Sequence, residues 1–320
     1  MTARAFDAII VGAGQAGPPL AGRLTAAGMK VALIERHLVG GTCVNTGCMP
    51  TKTLVASAYA AHLARRAGDY GVTIEGPIGF DIAKARGRAT KVTEDSRGKL
   101  TDRLETMAGL AFIRGQARFE GPDRIRVGED LLTAPRIFLN VGGRAFVPDF
   151  PGVDHVPFLN NSTLLALEEL PEHLLIVGGS YIGLEFAQIY ARFGSKVTVV
   201  ERAPRLIGRE DEEVSDAIRA FLEAEGIAIR TGAECIRLME KDGRPAIGLD
   251  CREGPPEVAG SHILLAVGRV PNTGDLGLEA AGVEADARGY IQVDDARHQR
   301  AGHLGDGRLQ RPRRLHPHRL

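Results

Sequence analysis

The sequence predicts an α/β fold built on two copies of one βαβ unit, and three observations point to it. An apolar run at residues 6–11 meets Gly12-Ala-Gly14-Gln-Ala-Gly17 and then a helix-like stretch to about residue 27. A second run at 174–177 meets Gly178-Gly-Ser180-Tyr181-Ile-Gly183 and a helical stretch to about residue 193. In each copy a further strand follows, 31–34 or 196–200, and ends on an acid, Glu35 or Glu201, 18 residues beyond the third glycine. Matching spacings in two separate units are hard to ascribe to packing, which constrains apolar positions and leaves a lone carboxylate free.

Length and composition agree with this class. The 320 residues are 44% hydrophobic and 25% charged, with 40 glycines, the profile of two ordinary α/β domains. Forty acids balance forty bases, so no net field favours nucleic acid or an anionic membrane. No apolar stretch approaches the length of a membrane span, and the N-terminus carries no targeting pattern. The expected location is the cytoplasm, where a disulfide is more often catalytic than structural.

The glycine turns have a chemical reading. Gly12 permits a tight turn, Gly14 lets a pyrophosphate approach the backbone, and Gly17 lets helix and strand pack closely, while Glu35 stands where a ribose hydroxyl would sit. Two such units imply two dinucleotides. In the second, Gly178 and Gly183 repeat the outer glycines and Ser180 replaces the middle one. Glu201 predicts NADH over NADPH, because a carboxylate accepts from a 2′-hydroxyl and repels a 2′-phosphate. Arg202 and Arg205 act against that preference.

Between the first unit's acid and the next helix lies Gly40-Gly-Thr42-Cys43-Val-Asn-Thr-Gly-Cys48-Met-Pro-Thr-Lys52, with two of the chain's four cysteines. Five residues is one and a half helical turns, so one curled loop entering a helix can bring both sulfurs within disulfide reach. Lys52 follows one turn after Cys48, and a cation and a helix N-terminus both favour thiolate. On this pattern alone, a structural disulfide or two unrelated thiols are the alternatives. A helix is expected over 50–66 with an apolar stripe at Leu54, Ala58, Ala61 and Ala64, and another over 80–107. Strands follow at 111–113, 116–119, 124–127 and 136–141. Glycine and proline mark a linker at 141–152. A helix at 211–225 and a strand at 227–231 continue the second unit. Cys235 and Cys251 lack partner spacing and read as inert.

Together these motifs resemble the class I pyridine nucleotide-disulfide oxidoreductases, the family of dihydrolipoamide dehydrogenase, glutathione reductase and mercuric reductase, over residues 6 to about 295. The resemblance implies an α/β fold of two Rossmann-like dinucleotide-binding domains, the second inserted in the first. An FAD-binding domain would occupy 1–150 with a return segment at 275–295, and an NAD(P)-binding domain 151–274. FAD and NAD would be the cofactors, with NADP as the alternative, and no metal site is implied. Cys48 would face the flavin as a thiolate and Cys43 would exchange with a disulfide, dithiol or metal-ion substrate. Lys52 would meet Glu185 beside the flavin, and Tyr181 would cover the nicotinamide pocket. The resemblance also implies cofactor contacts at Thr42 in the cysteine loop, at Gly115 and Ala117 beside the adenine, at Gly142 where the chain leaves the flavin domain, and at Gly268 where the second domain closes. Two rivals remain: a dinucleotide-binding protein without turnover, and a flavin monooxygenase-like enzyme, which has no use for a cysteine pair.

The tail departs from the resemblance. Residues 297–320 hold seven Arg and one Asp, a formal +6 that leaves −6 on residues 1–296. With no aromatic or β-branched residue, this stretch is expected to be disordered, building neither strand nor core. Residues 298–318 can be written in codons that, read one base later, spell Thr-Asn-Val-Pro-Gly-Ile-Trp-Ala-Met-Gly-Asp-Cys-Asn-Gly-Arg-Gly-Ala-Phe-Thr-His, which resembles the family's second flavin-binding motif. The reading is a frameshift near residue 297, with the C-terminal dimerisation domain missing, normal homodimers lost and turnover impaired. A genuine basic tail is the alternative.

Overall fold

The computed structural model describes residues 3–250 and 256–294 and the backbone of residues 303–305. It divides into two compact units: residues up to Asn45 with Glu94–Arg144 and the described residues from Arg269 onward, and Thr46–Thr93 with Ala145–Gly268.

The first unit is built on a five-stranded parallel sheet in the order β18-β8-β2-β3-β4. Its strands are β2 (Ala8–Val11), β3 (Val31–Glu35), β4 (Leu110–Arg114), β8 (Ile137–Leu139) and β18 (His303–Gly305). Every residue of β2 is buried. Side chains alternate between faces, so Ile10 and Leu33 enter one core with Ala21 and Leu104, while Ile9 and Ile34 enter another with Ile125, Leu132 and Ile137. Two covered faces explain why these strands read as unbroken apolar runs. Helices α1 (Gly17–Ala26) and α2 (Gly41–Asn45) follow β2 and β3. A four-stranded sheet of β1 (Arg4–Ala5), β5 (Ala117–Gly121), β6 (Arg124–Val127) and β7 (Asp130–Thr133) adds the second layer. Short strands β9 (Gly143–Ala145) and β17 (Arg269–Pro271) lie where the chain leaves and re-enters this unit.

The second unit repeats the pattern. Its parallel sheet runs β12-β11-β10-β16, with β10 (His173–Val177), β11 (Lys196–Val200), β12 (Ala228–Arg230) and β16 (His262–Leu265). Helices α3 (Cys48–Arg65), α5 (Asn161–Leu165), α6 (Tyr181–Phe193) and α7 (Glu212–Ala224) belong to this unit, and α4 (Ile82–Glu105) carries the boundary at residue 93. Leu54 and Ala58 of the expected α3 stripe join the main core with Phe186, Tyr190 and Phe193, whereas Ala64 is only half-buried. An antiparallel sheet of β13 (Glu234–Lys241), β14 (Arg244–Asp250) and β15 (Glu257–Ala259) fills a stretch where the sequence suggested no element. Asp242 (φ +53) and Gly243 (φ +73) form the β13–β14 turn, as a two-residue hairpin of matching twist requires.

One expectation fails at three residues. Although residues 297–320 read as unable to form a strand, 303–305 pair parallel with β8, His303 opposite Ile137 and Gly305 opposite Leu139. Strand pairing uses backbone N–H and C=O groups that any non-proline residue carries, and the edge of β8 offers them partners. The other residues of 295–320, and Cys251, lie outside the described residues.

His173 makes the second unit sensitive to acid. Its ring is buried in β10 with Nε2 2.9 Å from Thr198 Oγ1, and burial, aided by Lys196, lowers its pKa below the ordinary 6.5. Burial likewise lowers His262. An unfolded chain therefore binds protons at these sites before the folded one does. Their stabilising contribution is complete above pH 6.5 and is lost as pH falls from there toward the folded values. Urea midpoints measured between pH 5 and 8 should fall on the acid side in the parent protein and flatten in His173→Gln; an identical slope in both would contradict the assignment.

Candidate active site

The two glycine turns obey one steric rule. A Cβ on Gly12 (φ +104) would lie 2.2 Å from Asn140 O, and one on Gly17 2.2 Å from Gly12 O. In the second unit a Cβ on Gly178 (φ +117) would lie 2.5 Å from Ala266 O, and one on Gly183 2.0 Å from Gly178 O. The first and third glycines are thus forced by backbone contacts. The middle position is not: a Cβ on Gly14 would make an ordinary 3.6 Å contact with Asn140 Nδ2, and Ser180 is accommodated in extended backbone as the N-cap of α6. Neither α1 nor α6 receives a side-chain cap bond at its N-cap. The first turn of α6 thus presents the N–H groups of Tyr181, Ile182 and Gly183 to a phosphate, whereas in α1 Pro18 and Pro19 carry no N–H and Gly17 N is the donor of the first turn.

Both acids are aimed by the backbone. Glu35 accepts from Ala13 N at 2.8 Å and His37 N at 2.8 Å. Glu201 accepts from Gly179 N at 2.6 Å and Ala203 N at 2.7 Å. Each carboxylate oxygen takes one N–H and keeps a lone pair for a ribose hydroxyl. Held this way beside a glycine turn and a helix N-terminus, the residues of both units fit a dinucleotide.

The cysteine loop rests on the first glycine turn. Gly40 N donates to Ala13 O at 2.8 Å, and a Cβ on Gly41 (φ +59) would lie 2.9 Å from the Cα of Gly14. Cys43 is half-buried within α2. Thr42 Oγ1, beside it, accepts from Arg269 Nη2 at 3.3 Å, and the same guanidinium donates to Gly143 O. Burial lowers the pKa of Arg269 from its ordinary value. Cys48 is exposed and opens the 18-residue helix α3. One turn on, Lys52 donates to Glu185 of α6, with 65% of the lysine and 29% of the glutamate side chain exposed.

Tyr181, exposed at the start of α6, donates to Glu210, and that hydrogen bond raises the phenol's pKa. Gly115 (φ +152) donates to Glu35 O at 2.9 Å just before β5, and Ala117 is buried within that strand. Gly142 (φ +63) accepts from Asn272 N at 3.1 Å, and Gly268 (φ +141) from Phe146 N at 3.0 Å. Sequence reasoning missed Asn140, Arg269 as a partner of Thr42, and Glu210. Asn140 carried the one usable signal, a polar residue inside the apolar end of the strand expected at 136–141; its Nδ2 donates to Gly12 O at 3.1 Å.

A family model described as pyridine nucleotide-disulphide oxidoreductase matches residues 6–302. The chain belongs to that family. These oxidoreductases use FAD and NAD(P)H. The chain is 37% identical over 306 residues to a probable pyridine nucleotide-disulfide oxidoreductase, RclA, of Escherichia coli K12, covering 93% of this chain and 64% of the relative. Mercuric reductase of Bacillus cereus is 33% identical over 290 residues, covering 91% of this chain and 46% of the relative. Among solved structures, the Cu(II) complex of the HOCl-induced flavoprotein disulfide reductase RclA from Escherichia coli superposes with a TM-score of 0.84 at 34% identity, covering 97% of this chain and 66% of that one. The chain thus spans between about half and two thirds of the length of these family members. Among the described residues no helix is long and apolar enough to cross a membrane.

Proposed function

We propose that this chain serves flavin-dependent disulfide oxidoreduction with Cys43 and Cys48 as its redox pair. Their disulfide takes up two electrons and two protons to give two thiols. The dithiol then reduces a disulfide to two thiols, or a metal ion by two electrons with release of two protons; a dithiol substrate would drive the reverse. The names of the mercuric and disulfide reductase relatives support that substrate class. FAD, held by Gly12, Gly14, Gly17 and Glu35 with contacts at Thr42, Gly115, Ala117 and Gly142, would supply the two-electron relay between nicotinamide and thiols. Gly178, Gly183 and Glu201 would hold the pyridine nucleotide, Tyr181 would cover its nicotinamide, and Gly268 would join the cofactor contacts.

The observation that carries this reading is Cys48 as the exposed first residue of α3 with Lys52 one turn further on. An exposed thiol at a helix start is open to exchange with a partner sulfur, and the Lys52 ammonium would stand beside the flavin. Glu185 orients that ammonium. Dithiothreitol added to the FAD-loaded protein should produce a long-wavelength absorbance band. A folded, FAD-loaded protein that shows none would refute the thiolate role of Cys48.

NADH should bind more tightly than NADPH, since Glu201, fixed by two backbone amides, meets a 2′-phosphate as a like charge. Fluorescence titration with both nucleotides decides it. Equal or tighter NADPH binding would assign the choice to Arg202 and Arg205.

A further inference from the structure

The turn that carries Cys43 is fastened by a side chain. Two of its backbone bonds are long, Gly41 N to Leu38 O at 3.4 Å and Val44 N to Gly40 O at 3.5 Å, at the outer limit for hydrogen bonds, while Gly40 N to Ala13 O is short at 2.8 Å. Helix α2 has five residues, too few to sustain itself. Asn45 adds two further short bonds. Its Nδ2 donates to Val39 O and to Gly41 O, both at 2.9 Å. Its Oδ1 accepts from Arg97 Nη1 at 3.0 Å, from a residue 52 positions further along the chain. One amide thereby ties backbone on the near side of Cys43 to helix α4.

The arginine strengthens the tie. A guanidinium donor makes a charge-assisted bond and polarises the amide, so the opposite N–H groups donate more strongly. Arg97 is 27% exposed, whereas Glu94, 3.9 Å away, is 59% exposed. Such a wet, long ion pair contributes little, which leaves Asn45 as the shorter of these two contacts. The fastened turn is the one that rests on Gly14.

We propose that Asn45 and Arg97 are positioning residues for Cys43, setting how accessible its thiol is and how readily the Cys43–Cys48 dithiol closes. The second half rests on the redox-pair reading above; the first concerns Cys43 alone. Closure forms the S–S bond and gives up two electrons and two protons, which oxidised glutathione takes up to become two thiols. Loosening the turn lowers the effective concentration of one thiol at the other and so favours the open dithiol.

The test uses the full chain as Asn45→Ala, Arg97→Met and Arg97→Lys. The first readout is the alkylation rate of each cysteine by iodoacetamide, followed by peptide mass spectrometry. The second is the dithiol–disulfide equilibrium against glutathione. Asn45→Ala and Arg97→Met should raise Cys43 alkylation roughly fivefold or more and shift the glutathione equilibrium toward dithiol by a similar factor, as loss of a charge-assisted bond implies. Arg97→Lys, which keeps a cationic donor, should stay near the parent. Cys235 lies in the other unit, so an equal rise there would mean general loosening and overturn the assignment. Cys43 rates within twofold of the parent in both disruptive variants would also overturn it. A response at Cys43 with no disulfide formed at any glutathione ratio would uphold the positioning role and refute the redox-pair reading instead.

Discussion

Gly12→Ala should destabilise the first unit by about 3–5 kcal/mol, whereas Gly14→Ala, two residues away, should change stability by less than about 1 kcal/mol. The difference follows from what each new methyl would meet. At Gly12 it would overlap Asn140 O at 2.2 Å with the backbone at φ +104, so a left-handed conformational cost adds to a clash with backbone that cannot swing aside. At Gly14 the nearest atom is a side-chain nitrogen at 3.6 Å, an ordinary contact. Gly14→Ala should instead weaken FAD binding, because its methyl occupies space a pyrophosphate needs. Urea midpoints and FAD titration separate the two. Equal midpoints would show that the β2–α1 turn relaxes, and unchanged FAD affinity in Gly14→Ala would remove the pyrophosphate from this turn.

Cys48→Ser should lower NADH-driven reduction of a small aromatic disulfide by the FAD-loaded chain by at least about a thousandfold, the scale on which an activated nucleophile is lost. Serine forms no S–S bond and stays un-ionised near neutral pH. Lys52→Met should cost less than about tenfold, since a charge on a side chain 65% exposed is screened by water. A Cys48→Ser rate within tenfold of the parent would mean that electrons leave by another path.

The βαβ units were legible because their determinants are local. Gly12, Gly17, Gly178 and Gly183 are required by contacts inside each turn or with the adjacent strand end, and Glu35 and Glu201 bind amides two residues on and at the turn itself. The antiparallel sheet at 234–259 was less legible. Its β13 strand alternates burial imperfectly, with a register shift between Glu234 and Arg237, and although Asp242-Gly243 is a hairpin dipeptide, no strand was expected on either side of it. Pairings over long separations left no signal in spacing or periodicity, and the bond of Lys52 to Glu185 was expected from the family resemblance alone. Arg97 reaches Asn45 across 52 positions and Arg269 reaches Thr42 across 227, and no periodicity or spacing rule records such pairings. Strand 303–305 was hidden for a related reason, since its pairing with β8 uses backbone groups and nothing in its composition.

Electron counting tests the central claim most directly. With Cys43 and Cys48 as a redox pair beside FAD, anaerobic titration with dithionite should consume four electrons per FAD, two for the flavin and two for the disulfide. Cys48→Ser should consume two. A parent protein that fills at two electrons per FAD, with Cys43 and Cys48 both unalkylated before the titration and both alkylated only after separate chemical reduction, would contradict the account.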